Sequence, residues 1–309
     1  SEYLYHAPKG QKAMIFNRAE QTFTFTEEKV KRGVIGEMVA PNQLFFSIAC
    51  TTNDAQCIAA MQWFRNQVFF SRDYSDIPQQ LIEYSEDKNM LNAISDYAKA
   101  ADVGIQDMRF VFNSKEIHKG ESLPTDLPEE VKAALVKFMQ TLSETSNNNE
   151  VYLKMGKVSA KASHQGVNYD GQKVSYSLEL SEESDGTRKL MALAPAIESA
   201  LRTGGVLLVD ELERELHPAL VDYIVAKFQS KDTNPNGAQI IFTTHNTELM
   251  NLELIRKDQI YLVDKRDRDG VSELYAMSDF ATRTTENIRK GYLVGKYGAV
   301  PDVEIAEVE

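Results

Sequence analysis

The sequence is short of several things, and each shortage narrows what the chain can do. It has two cysteines, Cys50 and Cys57, in 309 residues. Neither stands at a metal-ligand spacing from a histidine, so no zinc site or disulfide framework is expected. Both read as reduced thiols of a cytoplasmic protein. No apolar run approaches the ~20 residues that a membrane helix needs, so no membrane attachment is expected. The opening residues, SEYLYHAPKG, lack the apolar stretch of a secretory signal. Basic residues are outnumbered, 34 Lys and Arg against 46 Asp and Glu, for a net charge of −12. That balance argues against unaided wrapping of DNA or RNA, although a local basic groove stays open. Hydrophobic residues make up 42% and charged residues 26%, ordinary for a globular chain. The length suffices for one large α/β domain or two lobes.

What is present falls into three stretches. Residues 12–26 (KAMIFNRAEQTFTFT) alternate around a polar turn and predict a β-hairpin. From about 54 to 146 the pattern is mostly helical. Leu81, Ile82, Tyr84, Leu91, Ile94, Tyr97 and Ala98 fall near helical spacing, as do Val131, Leu135, Phe138 and Leu142, and both stripes read as packing faces. The polar patch SETSNNNE (143–150) reads as a surface loop. Alternating strands then return in EVYLKMGKVSAKA and VNYDGQKVSYSLEL, with Asp170-Gly171 as a tight turn. A helix, TRKLMALAPAIESALRT, leads into the apolar run Val206–Val209, which reads as a buried strand. A second helix starts near Pro218. Strands follow at 239–245 and 259–265, the latter pairing with 271–277. Strands alternating with helices over 173–265 predict a doubly wound α/β core.

Three short segments carry chemistry. In ESDGTRKL (183–190), Ser184, Gly186 and Thr187 open a helix, so hydroxyls and free N–H groups at its positive end suit an anion such as phosphate. Taken alone, an ordinary N-cap with a glycine is the more economical reading. In VLLVDELE (206–213), adjacent acids end a buried strand. Asp210 suits magnesium, which takes one or two carboxylates plus phosphate oxygens and water. Glu211 can orient or deprotonate an attacking water. Glu213 and Glu215 read as acids solvating a helix face. In IIFTTHN (240–246), His245 ends a strand expected to neighbour the Asp-Glu strand, which brings both ends to one edge.

The order SDGTRK, VLLVDE, ELHP, TTH resembles the signature motif, Walker B strand, D-loop and switch histidine of ABC-type ATPases. ESDGTRKLMALAPAI with its in-helix Pro195, DELERELHP, QIIFTTHN, ADVGIQDM and the ending RKGYLVGKYGAVPDVE are similar to the stand-alone bacterial AAA/ABC-like ATPases of the abortive-infection (AbiEii-like) and overcoming-lysogenization-defect group, over roughly 101–304. The resemblance implies an α/β fold, an ABC-type ATPase core of mixed or parallel sheet flanked by helices, plus an inserted helical arm or lobe. Residues 1–53 would be the β-rich part of the head, 54–149 the helical arm, and 150–309 the C-terminal lobe. It further implies ATP and Mg2+ sandwiched in a homodimer or higher homo-oligomer. Asp210 would help hold the metal, Glu211 would be the catalytic carboxylate and His245 would sense the γ-phosphate. Ser184 and Gly186, with Thr187 and Lys189 in the same motif, would reach the opposite subunit's nucleotide, and His217 would lie between the two sites. Family members act in anti-phage defence beside a nuclease or toxin effector, through which nucleic acid would be reached.

One half of a nucleotide site is missing. No G-x-x-x-x-G-K-[ST] loop is present. GYLVGKYG (291–298) has one residue too few between its glycines and a tyrosine where the magnesium hydroxyl belongs. The chain is therefore expected to be the C-terminal two-thirds of a longer ATPase. The alternative is a non-hydrolysing scaffold that kept the fold. DKRDRDG (264–270) fails the EF-hand spacing and reads as a hairpin turn. A zinc site from His217, His245 and Glu211 lacks any supporting motif. No partner for His6, His118 or His164 can be named from the sequence alone.

Overall fold

The computed structural model describes residues 1–7, 10–102, 104–118, 120–124, 127–145, 152–265, 270–281 and 287–301. The expected hairpin is present as β2 (Ala13–Ala19) and β3 (Thr22–Phe25), and β1 (Glu2–His6) adds to it in antiparallel order β1-β2-β3. Helices α1 (Lys29–Glu37) and α2 (Phe45–Thr51) close a small core of Phe16, Ile35, Phe45, Ala49 and Cys57 over this sheet. Arg32 and Asp54, 1% and 0% exposed, pair at 2.8 Å beneath it. The burial cost of that pair is offset because the guanidinium also reaches the Gln56 side chain and the Glu27 and Ile15 carbonyls. Burial first, and then Asp54, push the Cys57 thiol up to about 12, which keeps it an unreactive thiol.

The middle stretch contains more than helices. After α3 (Ala55–Gln67) comes β4 (Val68–Phe70), then α4 (Ile77–Glu83), α5 (Lys88–Ala101), β5 (Ile105–His118) and α6 (Glu129–Thr145). The apolar stripe from Leu81 to Ala98 is split between α4 and α5. Asp87 starts the second helix by accepting hydrogen bonds from the Asn89 and Met90 amides. On α6 the expected packing face is turned outward, with Val131 42% and Phe138 52% exposed, while Met139 is buried instead. Helix α6 also takes in the first residues of the SETSNNNE stretch, whose remainder, 146–150, lies outside the described residues.

β5 pairs with β6 (Tyr152–Val167), and β6 with β7 (Lys173–Glu179), all antiparallel. The Asp170-Gly171 turn forms between β6 and β7, with Gly171 at φ 76°. The parallel sheet is built from β4, β8 (Val206–Val209) and β9 (Gln239–Phe242) in the order β4-β8-β9. Helix α7 (Asp185–Thr203) leads into β8, and α8 (Pro218–Gln229) connects β8 to β9. β10 (Tyr261–Lys265) and β11 (Ser272–Ala276) form an antiparallel hairpin, followed by α9 (Ile288–Leu293). Most of the turn assigned to DKRDRDG, 266–269, lies outside the described residues. GYLVGKYG begins inside α9 and folds back so that Gly291 sits against the Tyr297 ring. That is a helix end and not a strand–loop–helix.

The register of the parallel sheet decides its two faces. Phe69, Leu207 and Ile240 lie in one row, and with Val209 and Phe242 they enter the main core beneath α7 and α8. Phe70, Leu208 and Ile241 form the next row and point to the other side. There Phe70 is 65% and Ile241 59% exposed.

Candidate functional site

The site grows out of the C-terminal ends of β8 and β9. β8 is a run of four apolar residues, so its first polar side chain, Asp210, falls at the edge and is exposed. The chain then turns at Glu211, which is held in the left-handed region at φ 49°, a conformation that costs a non-glycine residue about 1 kcal/mol or more. Two cross-strand contacts fix this turn. The Leu212 amide donates to the Thr243 carbonyl at 3.1 Å. The Glu211 amide donates to the Thr243 hydroxyl at 2.8 Å, and that hydroxyl donates in turn to Asp210 Oδ1 at 2.5 Å. The turn aims the Glu211 carboxylate along the edge, with Oε1 3.9 Å from His245 Nε2.

His245 is fixed through its backbone. Its amide donates to Glu213 Oε1 at 2.6 Å. Burial opposes ionisation of Glu213, but the His245 amide and the Thr244 hydroxyl outweigh it and hold the carboxyl below its ordinary range. Glu213 therefore does not solvate a helix face, as its place in DELERE suggested. The left-handed turn at Glu211 swings it under the end of β9. Thr243 and Glu213 are the two residues that sequence reasoning missed. The signal for Thr243 was present in the small hydroxyls of TTH.

The second group of expected residues sits at the start of α7. Ser184 is its N-cap, accepting a hydrogen bond from the Thr187 amide at 3.1 Å, with the two hydroxyls 2.8 Å apart. Thr187 and Lys189 are 1% and 9% exposed, so the Thr187 hydroxyl turns inward onto the cap and not out of the helix end. Gly186 lies against the loop after β8. A Cβ there would meet the Glu215 carbonyl oxygen at 3.0 Å, and Glu215 is itself left-handed at φ 65°. His217 caps α8, its Nδ1 accepting from the Ala219 amide at 3.2 Å, and Pro218 occupies the first helical position, where no amide is needed. The fold thus gathers Asp210, Glu211 and His245 at one edge. It sets Gly186, at the start of α7, against the loop between that edge and His217. No hydrogen bond or ion pair among the described residues joins the α7 start to Asp210, Glu211 or His245.

One histidine without an evident partner in the sequence has one here. His164 on β6 meets Glu183 at 2.8 Å, both buried, and stacks on Tyr176. Glu183 directly precedes the Ser184 cap, so the antiparallel sheet is pinned to the start of α7.

The donor chemistry at the edge suits a hard divalent cation. Asp210 keeps one oxygen for a ligand while the other is tied to Thr243, and magnesium takes one or two carboxylates and fills its shell with water and phosphate oxygens.

A parallel strand ending in adjacent carboxylates, a neighbouring strand ending in histidine, and helices packed over one face are consistent with an AAA/ABC-like ATPase domain. The family model described as "AAA domain, putative AbiEii toxin, Type IV TA system" matches residues 47–251, and the chain belongs to that family. The matched span contains every site residue from Ser184 to His245. The chain is also similar to the Retron Vc95 probable ATPase of Vibrio cholerae serotype O1 biovar El Tor, 34% identical over 84 residues. Those residues are 27% of this chain and span 15% of the relative's length.

Proposed function

We propose that this chain carries the hydrolytic half of an ATPase that closes on ATP and Mg2+ as a homodimer or higher homo-oligomer. The observation that carries the reading is the juxtaposition of Asp210, Glu211 and His245 at the ends of adjacent parallel strands, with Glu211 Oε1 3.9 Å from His245 Nε2. Asp210 would hold the metal, which supplies charge neutralisation at the phosphates. Glu211 takes or orients the proton of the attacking water, and His245 donates to the transferred phosphoryl group. Ser184 and Gly186 present the α7 start to the nucleotide of the facing subunit. Hydrolysis controls a partner effector, a nuclease or toxin, in bacterial anti-phage defence. Membership of the AAA-domain family and similarity to a retron probable ATPase support this setting. Among the described residues no helix is long and apolar enough to cross a membrane. We place the protein in the cytoplasm, reaching nucleic acid through its effector.

In this reading the phosphate-binding loop would come from a segment other than those described above, and would dock at the free edge of β9. The outer edge of β9 pairs with no strand among the described residues. A parallel strand added there would end beside His245. The steps β4 to β8 and β8 to β9 both run in one direction with their helices, α7 and α8, over the same face. Crossovers between parallel strands are right-handed. A connection from beyond β9 back to β4 runs the opposite way, so its helix must lie on the opposite face, over Phe70, Leu208 and Ile241. Parallel sheets are covered on both faces, and among the described residues this row is left open at Phe70 and Ile241.

The test is a titration of the purified chain, and of the complete protein, with a fluorescent ATP analogue and magnesium. Binding by the complete protein that is lost in Asp210→Ala, with little binding by the 309-residue chain, is the expected result. Binding that is indifferent to Asp210→Ala would sink the assignment.

A further inference from the structure

Asp210, Glu211 and His245 are placed by two side chains that exchange roles between the strands. Thr243, on the extension of β9, holds the loop after β8. Its oxygen accepts from the Glu211 amide at 2.8 Å and its proton goes to Asp210 Oδ1 at 2.5 Å. Glu213, on the loop after β8, holds the extension of β9 by accepting from the His245 amide at 2.6 Å. Backbone bonds lie between these contacts, Thr243 N–H to Val209 O and Leu212 N–H to Thr243 O, each 3.1 Å. Each strand end is thus fixed by a side chain from the other. We infer that Thr243 and Glu213 form a reciprocal latch and are positioning residues for the hydrolytic step, resting on the ATPase reading above.

Glu211 occupies a left-handed conformation that a residue with a Cβ leaves unless it is held. Its amide has left the strand ladder and is satisfied by the Thr243 hydroxyl. Without that hydroxyl the amide is free to seek water, the turn relaxes, and the carboxylate loses its aim at His245. The same hydroxyl selects which oxygen of Asp210 remains for a ligand. His245 has an exposed imidazole, 87% accessible at the side chain, so packing does not place the ring. What the latch fixes is the backbone that carries the ring, through Glu213. The acceptor works best as a carboxylate, because a charged acceptor roughly doubles the strength of such a bond.

The test has two readouts on separable questions. In the 309-residue chain without nucleotide, backbone amide exchange is followed by NMR. Thr243→Val should speed exchange at the Glu211 amide about tenfold or more, with Leu207 in β8 unaffected as the folding control, and Thr243→Ser should restore protection. Glu213→Ala should do the same at the His245 amide, and Glu213→Gln, which keeps an acceptor oxygen in place, should recover most of it. In the complete ATP-hydrolysing protein, Thr243→Val and Glu213→Ala should lower kcat about tenfold or more with KM little changed, and the Ser and Gln variants should rescue it. Unchanged amide exchange overturns the latch. Faster exchange with unchanged kcat, or a rise in KM alone, overturns the positioning role. Wild-type protein that protects both amides but turns over no ATP overturns the hydrolytic reading and leaves the latch standing.

Discussion

Glu211 and His245 face each other across the ends of β8 and β9, carboxylate oxygen to imidazole nitrogen at 3.9 Å, with neither side chain buried. An exposed pair at that distance contributes little to folding, so its value must lie in what the two groups do to a third. If that third is the water attacking a bound phosphate, Glu211→Gln should leave stability unchanged and slow ATP turnover by about 10²–10⁴-fold. The slowed enzyme should accumulate as an ATP-bound dimer on size-exclusion chromatography. Turnover at the wild-type rate would return Glu211 to the role of a surface acid.

The acid limb of stability should report the buried pair of the N-terminal unit. Burial opposes ionisation of Asp54, but Arg32 and the Cys57 amide outweigh it and hold its carboxyl below the ordinary 3.8. A depressed folded value means stability that is complete above the unfolded pKa and is lost as pH falls through the lower folded one. Asp54→Asn strands a buried guanidinium and should cost about 3–5 kcal/mol at neutral pH. It should also flatten the fall in stability below about pH 4, as measured by urea unfolding across pH. An unaltered acid limb would assign that fall to other carboxylates.

Much of this site was legible because its elements announce themselves locally. β8 is an apolar run between glycines and acids, α8 begins at Pro218, and the α7 cap is Ser184. What stayed hidden acts at a distance. β4 has three residues, too few for a period-two pattern to rise above the helices beside it. His164 and Glu183 carry no sign of burial in the sequence, because their partnership depends on β6 passing beside the start of α7. Glu213 was misread because a single left-handed residue, Glu211, reverses the side on which the following acids lie. Thr243 reaches a loop more than thirty positions upstream, so the hydroxyls of TTH were visible in the sequence but their partner was not.

Gly205 marks the closest approach in the parallel sheet. A Cβ there would lie 2.5 Å from the Gln67 carbonyl oxygen and 2.8 Å from the Phe69 ring, where β8 enters beside β4. Backbone cannot yield as a side-chain tip can, so Gly205→Ala should destabilise the chain by about 1–3 kcal/mol. The measurement is the shift in denaturant midpoint at constant slope. A shift within error would mean that β4 and β8 separate without cost.

The open row on the sheet makes the last prediction. Phe70 and Ile241 are largely exposed on either side of half-buried Leu208, on a face that parallel sheets normally cover. In the 309-residue chain this row should bind an apolar dye, and Phe70→Ser with Ile241→Ser should abolish that binding at little cost in stability, since neither side chain joins the core. In a longer chain that carries the proposed phosphate loop the wild-type row should be dark to the dye, and Ile241→Cys should resist maleimide labelling that proceeds readily in the 309-residue chain. There the same double substitution should become costly, by about 2–4 kcal/mol, because it would then empty an interface and not a surface. Equal labelling in both forms would mean that the row stays open, and that the phosphate loop reaches the site by some other route.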